Sequence, residues 1–279
     1  KLRLNLLGIP EVYLDDQPIP FKTRKSHALL FYLVCNPGPQ PRDVVAELLW
    51  PDMPTRQSLK NLRDGLTQLR AAVGDYITAS IQRVEFNCQL PYEFDVELFS
   101  SGVTQAQATL DLAKLQGALN LYRGDFLLGF HVQNAQPFDE WVLQQREELY
   151  IQAISGLEWL AEQYCHQHEY NIALTVNRRL LKLEPWRESA HRLQMQLLAF
   201  SGHNSDALAQ YKICQRVLLE ELDVQPTAET VALYEQIRGG EFAPHMVEPQ
   251  GVKLNQRSEE QTLHAPAPIP ATTPAVALH

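Results

Sequence analysis

The clearest pattern in the chain is a regular apolar stripe that runs from Thr55 to Gly74. Its members are Leu59, Leu62, Leu66, Leu69 and Val73. Residues three and four positions apart share one face of a helix, so this spacing predicts a single amphipathic helix. Thr55 is the predicted N-cap of that helix, and Gly74 is the predicted residue at which it ends.

The opposite face of this helix is polar and mixes amides with cations. It carries Gln57, Lys60, Asn61, Asp64 and Gln68, with Thr67 beside them, and it is flanked by Arg56, Arg63 and Arg70. Amide side chains can bind base edges in a major groove, and arginines can hold phosphates or guanine. The face therefore predicts DNA contacts, although for this helix alone an ordinary solvated surface is the competing interpretation.

Shorter elements precede this helix. Two short antiparallel strands with a turn at Asp15-Asp16-Gln17 are predicted within Leu2–Phe21, where apolar residues alternate weakly between prolines. A largely buried helix is predicted from Lys22 to Asn36, and a second one from Arg42 to Trp50. Lys22, Arg24 and Lys25 stand where the first helix begins, where cations can bind phosphate or simply keep the surface soluble.

A hairpin follows the apolar-striped helix. Its predicted strands are Tyr76–Thr78 and Val84–Phe86, with Arg83 close to the tip. Strands, three helices and then a hairpin is the order of a winged helix. In that fold the third helix enters the major groove and the hairpin contacts the neighbouring backbone.

From Phe94 onward the pattern is helical. We expect a helix near Gln105–Leu121, a turn between Gly124 and Gly129, and a long helix from Pro137 to Tyr164. Ala173-Leu174 and Ala207-Leu208 lie 34 residues apart, which is the tetratricopeptide period. In the second repeat His191 and Gln194 stand where the first has Leu157 and Leu160. The predicted fold is thus mainly α: an N-terminal winged helix-turn-helix with small β-strands, then a tetratricopeptide-like helical solenoid.

The predicted domains are residues 1–94, residues 95–240 and residues 241–279, with a short join over residues 88–97 that is either rigid or mobile. The last segment contains six prolines and few large apolar residues, which predicts a disordered linker. We expect a further segment to have followed this linker, and the first residue, Lys1, suggests a trimmed chain or a fragment.

Charge is distributed unevenly along the chain. The net charge is −9, from 24 basic and 33 acidic residues. Residues 1–94 carry 11 basic and 10 acidic residues, a net of +1, so the remaining 13 basic and 23 acidic residues give −10. Because an acidic surface repels phosphate, we expect any DNA contact to be confined to the first third of the chain.

Motifs for catalysis and metal binding are missing from the sequence. It has no phosphate-binding loop of the GxxxxGK[ST] type, no GxGxxG, no HExxH and no GxSxG, and its four cysteines form no CxxC pair. No apolar run approaches the roughly 18 residues that span a bilayer. We therefore expect a cytoplasmic protein that is not an enzyme, with no metal, no cofactor and no membrane partner.

Eight stretches together resemble a known bacterial family. They are ELLWPD (47–52), NLRDGLTQLRAAVG (61–74), YITASIQRVEFN (76–87), FDVELF (94–99), LYRGDFLLGF (121–130), FDEWVLQQREEL (138–149), EPWRESAHR (184–192) and LLEELDVQPTAETVALYEQI (218–237). In this order over residues 1–240, they resemble the SARP-type transcriptional regulators. Those proteins join a winged helix, similar to that of the OmpR/PhoB response regulators of two-component signalling, to a bacterial transcriptional activation domain.

The resemblance implies a transcriptional activator that binds promoter DNA, often as a homodimer, and contacts RNA polymerase. In larger members these two domains precede a signalling ATPase and a sensor region. One departure is Asp64, because related proteins commonly carry a basic or neutral residue at that position. The alternative hypothesis is a docking module of a larger signalling protein whose winged helix does not bind DNA.

Overall fold

A computed structural model of the chain describes residues 1–241. The described residues belong to one compact unit. All but the first residue of the predicted linker 241–279 lies outside the described residues. None of the described helices is both long enough and apolar enough to cross a membrane.

A four-stranded sheet opens the fold. It contains β1 (Leu2–Asn5), β2 (Glu11–Leu14), β3 (Gln17–Pro18) and β7 (Tyr92–Phe94) in the order β3-β2-β1-β7. The predicted antiparallel strands are confirmed as β1 and β2, and Asp15 and Asp16 form a tight turn with the positive φ that it requires. The turn leads into β3, so Gln17, which was predicted within the turn, belongs to a strand. Strand β7 was not predicted. It pairs in parallel with β1, so the join over residues 88–97 contains part of the sheet.

Three helices follow: α1 (Arg24–Cys35), α2 (Arg42–Leu49) and α3 (Thr55–Val73). The predicted bounds of α3 are confirmed, but the predicted N-cap is wrong. Thr55 is the first helical residue, and the N-cap is Pro54, whose extended backbone conformation starts the helix and whose carbonyl accepts from the N–H groups of Gln57 and Ser58. Gly74 ends the helix with a φ of 62°.

The apolar stripe of α3 faces α1 and α2. Leu62, Leu66, Leu69 and Val73 are buried, and each contributes about 1.5–3 kcal/mol through removal of apolar surface from water. Gly65 is buried in the same contact, where a Cβ would lie 3.6 Å from the indole of Trp50, an ordinary packing distance. This packing fixes which face of α3 is turned outward.

The predicted hairpin is part of a three-stranded sheet of β4 (Gln40–Pro41), β6 (Arg83–Phe86) and β5 (Ile77–Ala79), in that order. We call β5, β6 and their connection the wing. Tyr76 was predicted to lie in a strand, but it belongs to a single 3-10 turn. Its hydroxyl is buried in the fold, where it accepts from the N–H of Leu2 and donates to the carbonyl of Pro91.

Seven helices make up most of the second half in the described residues. They are α4 (Asp95–Thr109), α5 (Leu112–Leu121), α6 (Gln136–His166), α7 (Tyr170–Leu183), α8 (Glu188–Phe200), α9 (Asn204–Leu222) and α10 (Ala228–Gly239). The single helix predicted near Gln105–Leu121 is wrong. Leu110 adopts a left-handed conformation, and the carboxylate of Asp111 caps α5 by accepting from the N–H of Lys114.

The repeat seen in the sequence occupies equivalent helices. Ala173 of α7 and Ala207 of α9 are both fully buried in helix contacts. His191 and Gln194, at the positions of leucines in the first repeat, are also buried. They are satisfied by hydrogen bonds, because His191 contacts the carbonyl of Pro185 at 2.8 Å and Gln194 accepts from Asn177 at 2.9 Å.

The two halves are joined by hydrogen bonds at the start of α4. The buried carboxylate of Asp95 accepts from the N–H groups of Leu6 and Leu7 at 2.8 and 2.9 Å. Leu7 also bridges to Phe126, in the LYRGDFLLGF segment, whose carbonyl accepts from Arg146 of α6 at 2.7 Å. The first sheet, α4 and α6 are therefore linked at one place.

Candidate nucleic-acid interface

The polar face of α3 is turned to solvent. The exposed residues on it are Arg56, Gln57, Lys60, Arg63, Asp64, Thr67 and Arg70, and the half-buried ones are Asn61 and Gln68. The face rests on the buried stripe described above, so its orientation is determined by the core. The side chains of α3 that were predicted to contact DNA therefore lie together on one accessible surface.

The amides on this face form two different contacts. Gln57 donates to the side-chain oxygen of Asn61 at 2.9 Å, and Asn61 donates to the sulfur of Met53 at 3.0 Å. Gln68 instead accepts from the hydroxyl of Ser26 in α1 at 3.2 Å. Gln57 and Asn61 therefore bind neighbours on the first half of α3 and at Met53, whereas Gln68 helps to hold α3 against α1.

Four arginines gather between α3, the start of α2 and the wing, and we call Arg42, Arg63, Arg70 and Arg83 the arginine cluster. Arg70 donates to the carbonyl of Ile77 in β5 at 3.0 Å. Arg42 donates to the carbonyl of Ser80 at 3.1 Å. Arg83 is exposed on β6, opposite Pro41, which immediately precedes Arg42.

A groove lies between Arg70 of α3 and Arg83 of the wing. Its volume is about 400 Å³, and its remaining lining residues are Pro39, Thr78, Ala79, Ser80, Val84 and Glu85. The only acid in this lining, Glu85, accepts a hydrogen bond from Thr78 at 2.9 Å. The groove therefore has two cations at its edges and one carboxylate that is already engaged.

The charges of the arginine cluster are not neutralised within the described chain. None of the four guanidinium groups forms an ion pair with a carboxylate among residues 1–241. Burial lowers the pKa of Arg42, and the positive charges of Arg63 and Arg70 lower it further. An anion placed there would relieve this repulsion, which favours the binding of a phosphate.

Arg42 is a site residue that the sequence analysis missed. The sequence feature that indicates it is its position directly after Pro41, at the first residue of a helix, where the helix dipole also favours an anion. The sequence could not show that this helix start lies beside the wing. That contact depends on β4, whose two residues pair with β6.

The predicted cations at the start of α1 lie apart from the arginine cluster, and the contacts of Arg24 and Lys25 are with other residues. Arg24 donates to the carbonyl of His131 at 3.0 Å and lies over the ring of Phe130. Lys25 donates to the carbonyl of Leu49 and lies over the ring of Trp50, while Lys22 is exposed. For Arg24 and Lys25, the geometry gives a structural role in addition to the predicted phosphate contact.

The described residues contain no group of three or more histidine, cysteine, aspartate or glutamate side chains placed to hold a metal ion. The arrangement that they do contain is a protruding helix face with a basic groove at its side.

Comparison with known proteins identifies the family. The model of the bacterial transcriptional activator domain matches residues 94–238, which is more than half of the chain. The chain belongs to the SARP-type bacterial transcriptional regulators. It is 26% identical to the regulatory protein AfsR of Streptomyces coelicolor over 97% of its own length, and 25% identical to AfsR of Streptomyces griseus over 98%.

This SARP-type chain spans little more than a quarter of the length of these relatives, 27% and 28% respectively. It is also similar to a solved structure of Mycobacterium tuberculosis EmbR in complex with a low affinity phosphopeptide. The TM-score is 0.64 at 22% identity, and the match covers 86% of this chain and 65% of the EmbR chain. That likeness shows the fold, and the mainly helical class with small N-terminal strands is confirmed.

Proposed function

We propose that this SARP-type regulator activates transcription by binding promoter DNA in a sequence-specific manner, with α3 in the major groove. The observation that supports it most is the exposed amide-and-cation face of α3 beside the unneutralised arginine cluster. A helix is narrow enough for a major groove of about 12 Å, where base edges can be distinguished.

Within this proposal the residues divide by role. Gln57 and Asn61 contact bases, because amides can bind adenine in a bidentate manner. Lys60 and the arginine cluster bind phosphates and set the register of the helix. Asp64 is exposed on the same face, where its carboxylate can accept from the amino group of cytosine.

We propose further that the helical half contacts RNA polymerase or a second copy of the chain. Apolar side chains at the end of α9 support such an interface, since Leu219, Leu222 and Val224 are 49%, 50% and 47% exposed. Because the chain spans about a quarter of the AfsR proteins, we also propose that it is the DNA-binding part of a longer signalling protein with an ATPase module.

The experiment is a selection of bound sequences from a random duplex library with the 279-residue chain, followed by titration of the preferred duplex. Replacing Gln57 or Asn61 with alanine should remove about 1–3 kcal/mol of discrimination at one base position each. The matched control is Gln144→Ala, which changes an exposed glutamine on α6. It should leave the preferred sequence unchanged.

Failure to enrich any sequence, together with weak binding that hardly responds to salt, would overturn the proposal. That result would favour the docking module, in which the winged helix contacts protein. Enrichment of a sequence that is identical for the wild type, Gln57→Ala and Asn61→Ala would refute the roles given to these amides but not the DNA binding itself.

A further inference from the structure

The tip of the wing carries an unusually exposed apolar side chain. Ile81 is 93% exposed, which is the highest value among the exposed large apolar residues of the described chain. A single exposed apolar residue needs no explanation in general. This one stands at the end of a projecting hairpin and is followed two positions later by Arg83 of the arginine cluster.

Hydrogen bonds hold this tip in one conformation. The N–H of Ser80 donates to the carbonyl of Arg83 at 2.8 Å, and the N–H of Arg83 donates to the hydroxyl of Ser80 at 3.0 Å. Arg42 supports the tip from behind, since its N–H donates to the carbonyl of Gln82 at 3.0 Å and its guanidinium to that of Ser80. Ile81 is therefore presented outward on a preformed turn.

The position of the arginine cluster indicates which part of a duplex this tip would meet. In B-DNA a major groove is separated from the next minor groove by one phosphate backbone. If α3 occupies the major groove, Arg63 and Arg70, on the side of α3 that faces the wing, lie where that backbone passes. The wing lies on this side of α3, since Arg70 donates to the carbonyl of Ile77 in β5, so its tip would meet the minor groove beyond that backbone.

We infer that Ile81 enters this minor groove as an apolar wedge that partly unstacks one base step and bends the duplex. The inference rests on the DNA binding proposed above. Apolar wedges between base steps kink DNA by about 20–90°. Arg83 beside the wedge favours a narrow and strongly negative minor groove, and pyrimidine–purine steps such as TA are the easiest to unstack.

The test measures bending of the library-selected duplex by energy transfer between dyes at its two ends, with the 279-residue chain bound at saturation. We expect a bend of at least about 20° with the wild type. Ile81→Ser should reduce the bend by half or more and weaken binding about tenfold. Gln82→Ala changes the neighbouring exposed side chain and keeps the carbonyl that Arg42 uses, so it should retain the bend.

A second arm changes the DNA. A mismatched pair at the step facing the wing lowers the cost of unstacking, so it should tighten binding of the wild type several-fold and leave binding of Ile81→Ser unchanged. Equal bending by the wild type and Ile81→Ser, or an equal effect of the mismatch on both, would overturn the wedge.

The outcomes separate this inference from the proposed function. Sequence-specific binding without a bend refutes the wedge alone, whereas no sequence-specific binding by the wild type refutes the proposed function. If Ile81→Ser leaves both bend and affinity unchanged but reduces binding of RNA polymerase, Ile81 contacts protein and the wedge is refuted.

Discussion

The arginine cluster leads to a quantitative prediction about salt dependence. Arg42, Arg63, Arg70 and Arg83 form no ion pair within the described residues, so each is available to neutralise one phosphate. Each phosphate contact contributes about 0.9 to the slope of log affinity against log salt. Replacing one of these arginines with glutamine should lower that slope by about 0.9, which between 50 and 200 mM salt is about a 3.5-fold smaller loss of affinity.

Replacing all four should lower the slope by about 3.6, or about 150-fold over the same range of salt. The assay is titration of a fluorescent duplex at several salt concentrations, with the fold of each variant checked by circular dichroism. Arg216→Gln is the matched control because it changes an exposed arginine on α9, far along the chain from the cluster. If Arg63→Gln and Arg83→Gln give the same slope as Arg216→Gln, those two arginines do not contact phosphates.

Three further predictions concern the stability of the fold. Asp95→Asn should lower the free energy of unfolding by about 3 kcal/mol, because the N–H groups of Leu6 and Leu7 bind different carboxylate oxygens and one of them would face the amide NH2 group of asparagine. Asp111→Asn should cost almost nothing at an N-cap, and equal losses in urea titrations would refute this. Gly102→Ala should lower the free energy of unfolding by about 1–3 kcal/mol, since the new Cβ would lie 2.7 Å from the Cβ of Ala118. Gly117→Ala, where a Cβ would meet nothing within 4 Å, should raise it by about 0.5–1 kcal/mol, and the opposite signs in thermal unfolding would contradict this. Burial lowers the pKa of His191, so the free energy of unfolding should fall as the pH drops below about 6.5, where the unfolded chain binds a proton and the folded chain does not. His191→Gln should show a smaller fall, and an unchanged pH dependence of urea unfolding would exclude this histidine as the cause.

Local patterns were enough to predict the helices of the first half. The bounds of α3 follow from the leucine spacing and Gly74, because both signals act within a few residues. The helical break at Leu110 was missed, since nothing before Asp111 interrupts the apolar pattern and a leucine rarely adopts positive φ. The N-cap of α3 was misjudged because a threonine is normally the better cap, while here the proline before it already fixes the backbone.

The missed parts of the candidate site depend on contacts between distant segments. Arg42 joins the arginine cluster only because β4 pairs with β6 across some 40 residues of sequence. Gln68 looked like a base-reading amide from its helical position, yet it is partly engaged by Ser26 of α1. Periodicity assigns a residue to a face, but it does not reveal which neighbouring element covers the edge of that face.

The joint at Asp95 has a consequence for the proposed activator. Its carboxylate binds the end of β1 while the residue itself begins α4, and burial raises the pKa of this carboxyl although the N–H groups of Leu6 and Leu7 oppose that shift. Backbone pairing of Leu7 with Phe126 adds a second link. The winged helix and the helical half are therefore held together by several bonds rather than by a free linker.

The central claim is that the outward face of α3 contacts duplex DNA. Its most direct test is a photo-reactive amino acid at Lys60, in the middle of that face, compared with one at Glu220, an exposed position on α9. We predict that irradiation of the chain on its selected duplex links DNA to position 60 and not to position 220. A chain that binds the duplex but is linked at position 220, or never at position 60, would contradict the account.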